Sequence, residues 1–183
     1  LMAIEEFNEF LEKYPASILR AEVYYNLGLA YRDGKKIDEG VEIFRKLVEQ
    51  SESETLKNQA RIQLGTLYQL KGDNKAALEE YQIVVIKGEG EIVAEANYWI
   101  GDMYFREGEY KLAIDEFFKI VYLLYQYKNW VIPAQLRIAE AYDRMGNFKD
   151  SKKMYEKIIS EAPDDETREF ARKKLEEVEK KIR

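Results

Sequence analysis

The sequence predicts an all-α solenoid of stacked helix pairs, and three observations carry that prediction. One pattern recurs four times, as Leu27-Gly28-x-x-Tyr31, Leu64-Gly65-x-x-Tyr68, Ile100-Gly101-x-x-Tyr104 and Ile138-Ala139-x-x-Tyr142, with 37, 36 and 38 residues between successive small residues. Each copy is followed by a turn residue (Gly34, Gly72, Gly108, Gly146). Each then shows a small residue with an aromatic four positions on: Gly40 and Phe44, Ala77 and Tyr81, Ala113 and Phe117, Ser151 and Tyr155. Finally, only three prolines and ten glycines interrupt 183 residues, which leaves long stretches free to be helical. Self-similarity at a fixed period marks a repeat array, in which each unit buries its apolar face on its neighbours.

The elements follow in order. Residues 1–14 read as an amphipathic helix. Ala3, Phe7, Phe10 and Pro15 sit at the offsets of the second helix of a pair whose first helix is missing. The chain is therefore expected to begin inside a longer array, with 1–17 as an orphan second helix. Four complete pairs are expected at 18–33 with 37–50, 54–71 with 74–87, 91–107 with 110–127, and 131–145 with 148–161. The corresponding repeats span 18–53, 54–90, 91–130 and 131–163. The breaks fall at Asp33-Gly34-Lys35, Gly72-Asp73-Asn74, Gly88-Glu89-Gly90, Gly108, Gly146-Asn147 and Pro163-Asp164. A last amphipathic helix over 165–182, within a capping segment 164–183, sets Phe170, Ala171, Leu175, Val178 and Ile182 on one side. Its other side interleaves Arg168, Glu169, Arg172, Lys173, Glu176 and Glu177, as a solubilising cap requires.

Glycine inside a helix costs about 1 kcal/mol relative to alanine. Gly28, Gly65 and Gly101 recur there anyway, which predicts close helix–helix approach beside the large Tyr and Phe residues.

Composition excludes several classes of function. The chain has no cysteine and no histidine, which removes disulfides, thiol nucleophiles and the usual zinc sites. Net charge is −6 with acids and bases interleaved, so no basic face is expected for nucleic acid. No apolar run approaches the roughly 18 residues of a membrane-spanning helix. No glycine-rich phosphate loop matches, and Gly88-Glu89-Gly90 is acidic. The carboxylate pairs are of the kind that 35 acids produce by chance, so neither an enzyme nor a cofactor is expected. Abundant Glu and Lys without Cys matches a thermophilic composition.

The four copies resemble the tetratricopeptide repeat, with its Leu-Gly-x-x-Tyr, Ala-x-x-x-Phe and terminal Pro signature. The chain departs from that pattern. The tryptophan-like slot holds Tyr24, Arg61, Asn97 and Gln135, and the terminal proline occurs within the repeats only as Pro163. The resemblance implies a right-handed α-α superhelix that holds a protein or peptide partner. The stretch Ala3-x-x-x-Phe7-x-x-Phe10-x-x-x-Tyr14-Pro15 is similar to repeat endings of bacterial envelope proteins of the Tol-Pal coordinator and barrel-assembly lipoprotein types. That similarity implies an adaptor in the periplasm.

In the family, the first helices of the pairs line the groove. The groove positions map here to Tyr25, Leu29, Ile62, Thr66, Tyr98, Asp102, Phe105, Arg106, Leu136 and Glu140. Each could equally be core between consecutive helices, a reading favoured for Ile62 and Leu136. A sub-class that clamps a peptide's C-terminal carboxylate needs Lys and Asn where this chain has Tyr25, Leu29, Ile62 and Thr66, so an apolar segment fits better. The third repeat carries further aromatics off the core stripe: Phe118, Tyr122 and Tyr125, with Trp130 just beyond. Either a long connection reaching Pro133 folds back over them, or they form a second contact surface. That surface or the open N-terminal helix could support a homodimer.

Overall fold

A computed structural model describes residues 2–182, and among these every regular element is helical. Ten α-helices follow in order: α1 (Met2–Lys13), α2 (Arg20–Asp33), α3 (Ile37–Gln50), α4 (Glu54–Leu70), α5 (Asn74–Lys87), α6 (Glu91–Arg106), α7 (Tyr110–Phe118), α8 (Lys128–Arg144), α9 (Phe148–Glu161) and α10 (Asp165–Ile182). A π-helical turn, Lys119–Leu123, prolongs α7.

The chain divides into two compact units, Leu1–Ala96 and Asn97–Arg183, and the boundary falls inside α6. In the first unit α2 packs on α3, α3 on α4, α4 on α5, and α2 also meets α4, while α1 lies against α2. In the second unit α7 packs on α8, α8 on α9, and α9 on α10. α10 covers α9 with Ala171 and Val178 and exposes its charged side. α1 buries none of its residues; Phe7 and Phe10 are only half-covered.

The recurring glycines do what their sequence context predicts. A Cβ on Gly28 would lie 2.6 Å from the Phe44 ring, and one on Gly101 would lie 2.8 Å from the Phe117 ring. Gly65 meets Tyr81 in the same way. Each aromatic lies flat over helix backbone where no side chain can fit. Phe44, Tyr81, Phe117 and Tyr155 are accordingly the largest fully buried side chains of their pairs. In the fourth pair, where Ala139 replaces the glycine, the buried Ser151 hydroxyl donates to the Ala139 carbonyl at 2.9 Å. Burial of each ring stabilises by about 1.5–3 kcal/mol.

The turns between paired helices need one left-handed residue, which spares a side chain a clash only when it is glycine. Gly72, Gly108 and Gly146 supply it at φ +78°, +82° and +74°. In the first turn the left-handed position falls on Lys35 (φ 57°), while Gly34 stays right-handed. Gly34 is thus one residue out of register with the other three.

The third pair departs most from expectation. Its second helix ends in the π turn at Leu123, and α8 starts at Lys128, three residues before the expected 131, with Pro133 inside it. The connection is therefore short and does not fold back over the aromatics. Tyr122 and Tyr125 are each 62% exposed, and Leu123 is 70% exposed. Only Phe118, tilted against Tyr122 at 5.3 Å between ring centres, is half-buried.

Candidate partner-binding surface

The candidate groove residues lie on first helices of the pairs, and each unit organises them around an arginine. In the first unit, Arg32 on α2 donates to the Gln63 side-chain oxygen on α4 at 2.5 Å. Gln63 in turn bonds the Tyr25 hydroxyl. Burial pushes the Tyr25 hydroxyl pKa up. The nearby Glu95 carboxylate adds to this, and Arg32 and Gln63 oppose it. The Tyr25 ring meets Phe44 edge-on at 5.8 Å. Leu29, four residues after Tyr25, is half-buried. Ile62 is core, and Thr66 turns its hydroxyl back to the Ile62 carbonyl at 3.1 Å. Ile62 therefore cannot meet a partner directly.

In the second unit Arg137 on α8 is the centre. It pairs with Asp102 on α6 at 2.8 Å and with Glu140 at 3.0 Å, bonds the Tyr98 oxygen, and lies 5.0 Å over the Phe105 ring. Asp102 is 1% exposed and also takes Arg106 at 2.6 Å. Burial works against the Arg137 charge, but Asp102, Tyr98 and Glu140 outweigh it and raise its pKa above the ordinary value. Two expectations are corrected here. Asp102 is not a charge on the groove wall but a buried brace that reaches the surface only through its arginines. Trp130 does not join Tyr122 and Tyr125; it stands on the first turn of α8 against Tyr98, 5.4 Å between ring centres. Leu136 and Glu140 remain half-buried, and Arg106 is exposed.

The two units repeat one device. The tyrosine three residues before the helix glycine (Tyr25, Tyr98) bonds the polar residue two before the small residue of the next repeat (Gln63, Arg137). Neither Gln63 nor Arg137 stood out in the sequence. Each is one polar residue on a charged helix, and its partner lies a whole repeat away. Chemically the arrangement holds aromatic and aliphatic surface beside fixed charges. Among the described residues no group of three or more Asp and Glu side chains is placed to hold a metal ion.

Family models described as tetratricopeptide repeat match residues 21–54, 62–126 and 133–165. The chain is a tetratricopeptide-repeat protein. Among solved structures, this repeat protein is similar to a tetratricopeptide repeat protein from Parabacteroides merdae (24% identity, TM-score 0.70, 98% of this chain and 69% of that one). It also superposes on BtubC from P. vanneervenii (14% identity, TM-score 0.78, 99% and 80%). A third similar structure is YrrB, described as a tetratricopeptide-repeat protein with an unusual peptide-binding site (21% identity, TM-score 0.65, 93% and 81%). At these identities the likeness shows the fold, an all-α helical-repeat solenoid. No curated protein matches the sequence. Tetratricopeptide-repeat proteins bind protein or peptide partners, and the fold is that of an interaction scaffold. No helix among the described residues is long and apolar enough to cross a membrane.

Proposed function

We propose that this tetratricopeptide-repeat protein is a non-catalytic scaffold that seats a peptide or helix of a partner protein on the first-helix faces of its pairs. The contact residues are Tyr25, Leu29 and Thr66 in the first unit, and Tyr98, Phe105, Arg106, Leu136 and Glu140 in the second. The observation that carries this reading is the Arg137 centre. Its four partners hold a half-exposed aromatic and aliphatic face in one arrangement before any ligand arrives, which lowers the ordering cost of binding. Tyrosine suits such a face, because its ring is apolar while its hydroxyl takes a polar partner, Gln63 for Tyr25 and Arg137 for Tyr98. The peptide-binding site named for YrrB supports the same class of ligand. The Ala3 to Pro15 stretch suggests a bacterial cell-envelope complex as the setting.

A photo-crosslinking residue at Leu136 should capture one partner in cells, and Phe105→Ala with Arg106→Glu should abolish the capture. Capture that survives this double change would overturn the reading. A second reading, self-assembly, is favoured by the exposed Tyr122, Leu123 and Tyr125 and by the half-covered α1. Light scattering that shows a concentration-independent monomer would remove it.

A further inference from the structure

We infer that a cavity in the second unit, apart from the first-helix faces, anchors a partner segment that places a bulky apolar side chain next to a carboxylate. The cavity holds about 470 Å³ and lies between the π turn, the start of α8 and the end of α9. That volume sits in the lower part of the range for ligand pockets, about 300–1,000 Å³. It takes a side chain with its flanking backbone, not a folded element.

Three features specify the occupant. The walls are apolar: Val121 from the π turn, Val131 and Ile132 from α8, and Pro163. Gln135, fully buried, lines the same space. Its amide nitrogen donates to the Glu161 carboxylate at 2.7 Å, which fixes its orientation, while its amide oxygen has no donor in the protein. A buried acceptor without a donor is costly, and a backbone N–H of an entering segment would satisfy it. Lys128 and Lys157 supply the charge. Lys128 makes no ion pair among the described residues, and Lys157 reaches Glu161 at 4.0 Å while its ammonium also lies 5.7 Å from the centre of the Tyr122 ring. With Glu161 turned to the Gln135 amide, the rim has ammonium groups to spare, which selects a carboxylate over a second cation. The π turn adds a reason for the cavity to exist. Such turns recur at functional sites, and this one buries Ile120 and Val121 while holding Tyr122 and Leu123 outward.

The test is an NMR titration of the ¹³C-methyl- and ¹⁵N-labelled chain with the capped peptide acetyl-Ala-Asp-Leu-Ala-amide. The expected result is saturable shifts of the Val131 and Ile132 methyls and the Gln135 side-chain amide, with a Kd of about 1 mM or tighter. Replacing the peptide's Asp by Lys should weaken binding about threefold or more, and Lys128→Glu should reverse that preference. Lys128 is exposed, so the variant keeps the fold. Absence of saturation at these residues, indifference to the Asp-to-Lys change, or shifts confined to Phe105 and Leu136 would each overturn the inference. So would N-acetyl-leucine binding as tightly as the peptide, because a small molecule would then account for the site. None of the proposed contact residues Tyr98, Phe105, Arg106, Leu136 and Glu140 lines the cavity, so either site can fail without the other.

Discussion

The Asp102 carboxylate on α6 and the Arg137 guanidinium on α8 meet at 2.8 Å, with the acid 1% exposed and the arginine still touching solvent. A buried charge is tolerated only when paired, and removing one partner leaves the other uncompensated. The pair therefore locks two first helices of the second unit together and orients the face they share. Arg137→Met should destabilise the chain by about 2 kcal/mol in urea unfolding, less than for a fully dry pair because the arginine is part-exposed. Arg106→Ala, which removes the outer and largely solvated partner of the same acid, should cost about 0.5 kcal/mol. Equal losses for the two variants would show that Asp102 does not depend on Arg137.

Lys35 occupies the turn position that Gly72, Gly108 and Gly146 hold in the later pairs. A non-glycine residue there costs about 1–2 kcal/mol, partly offset by the greater unfolded-state freedom of glycine. Lys35→Gly should raise stability by about 0.5–1 kcal/mol, while Gly146→Ala should lower it by about 1 kcal/mol. Paired denaturation curves of the two variants would check both signs.

Gly101 leaves no room for a methyl group beneath Phe117. Gly101→Ala should cost about 1–3 kcal/mol by overpacking. Adding Phe117→Leu to it should cost less than the sum of the two single changes, because the smaller side chain frees the contested space. Simple additivity in the double-mutant cycle would contradict the packing described.

Asp164 begins α10 by accepting the Thr167 backbone N–H at 2.7 Å and its hydroxyl at 2.9 Å. These bonds, the backbone one foremost, hold its carboxyl below the ordinary Asp value of 3.8. The sign follows from the depressed pKa. The contribution is complete above about pH 3.8 and is lost as pH falls through the lower folded value. Asp164→Ala should raise hydrogen exchange at Thr167 at neutral pH, and the extra protection of the wild type over the variant there should vanish as pH falls below 3.8. An unchanged rate at Thr167 in the variant would show that Asp164 does not cap the helix.

Tyr122 and Tyr125 stand outward from the π turn, so changing both to Ser should alter stability by no more than about 0.5 kcal/mol. If the chain self-associates through this surface, the same change should shift light scattering toward monomer. A large stability loss would mean that the rings are packed.

The fold was legible because its determinants are local and periodic. Gly28, Gly65 and Gly101 with Phe44, Tyr81 and Phe117 announce close helix pairs from spacing alone, and the turn glycines place most helix ends within a residue or two. The surface was legible only in part. Tyr25, Leu29, Tyr98, Phe105 and Leu136 could be assigned to first helices from the family register. Whether each is left half-exposed, like Leu136, or buried in the interior, like Ile62, depends on neighbours one repeat away.

By itself the sequence determined the helix pairs, their number and their order, since a 3.6-residue period and the glycine–aromatic complement act within one repeat. Only the tertiary structure decided that Asp102 is a buried brace, that Trp130 serves Tyr98, and that α8 begins early enough to leave Tyr122 and Tyr125 uncovered. It also decided that Arg137 is the residue on which one face is built. The physical reason is distance along the chain. These choices rest on contacts between residues about 30–40 positions apart, and no spacing rule within a single helix records them.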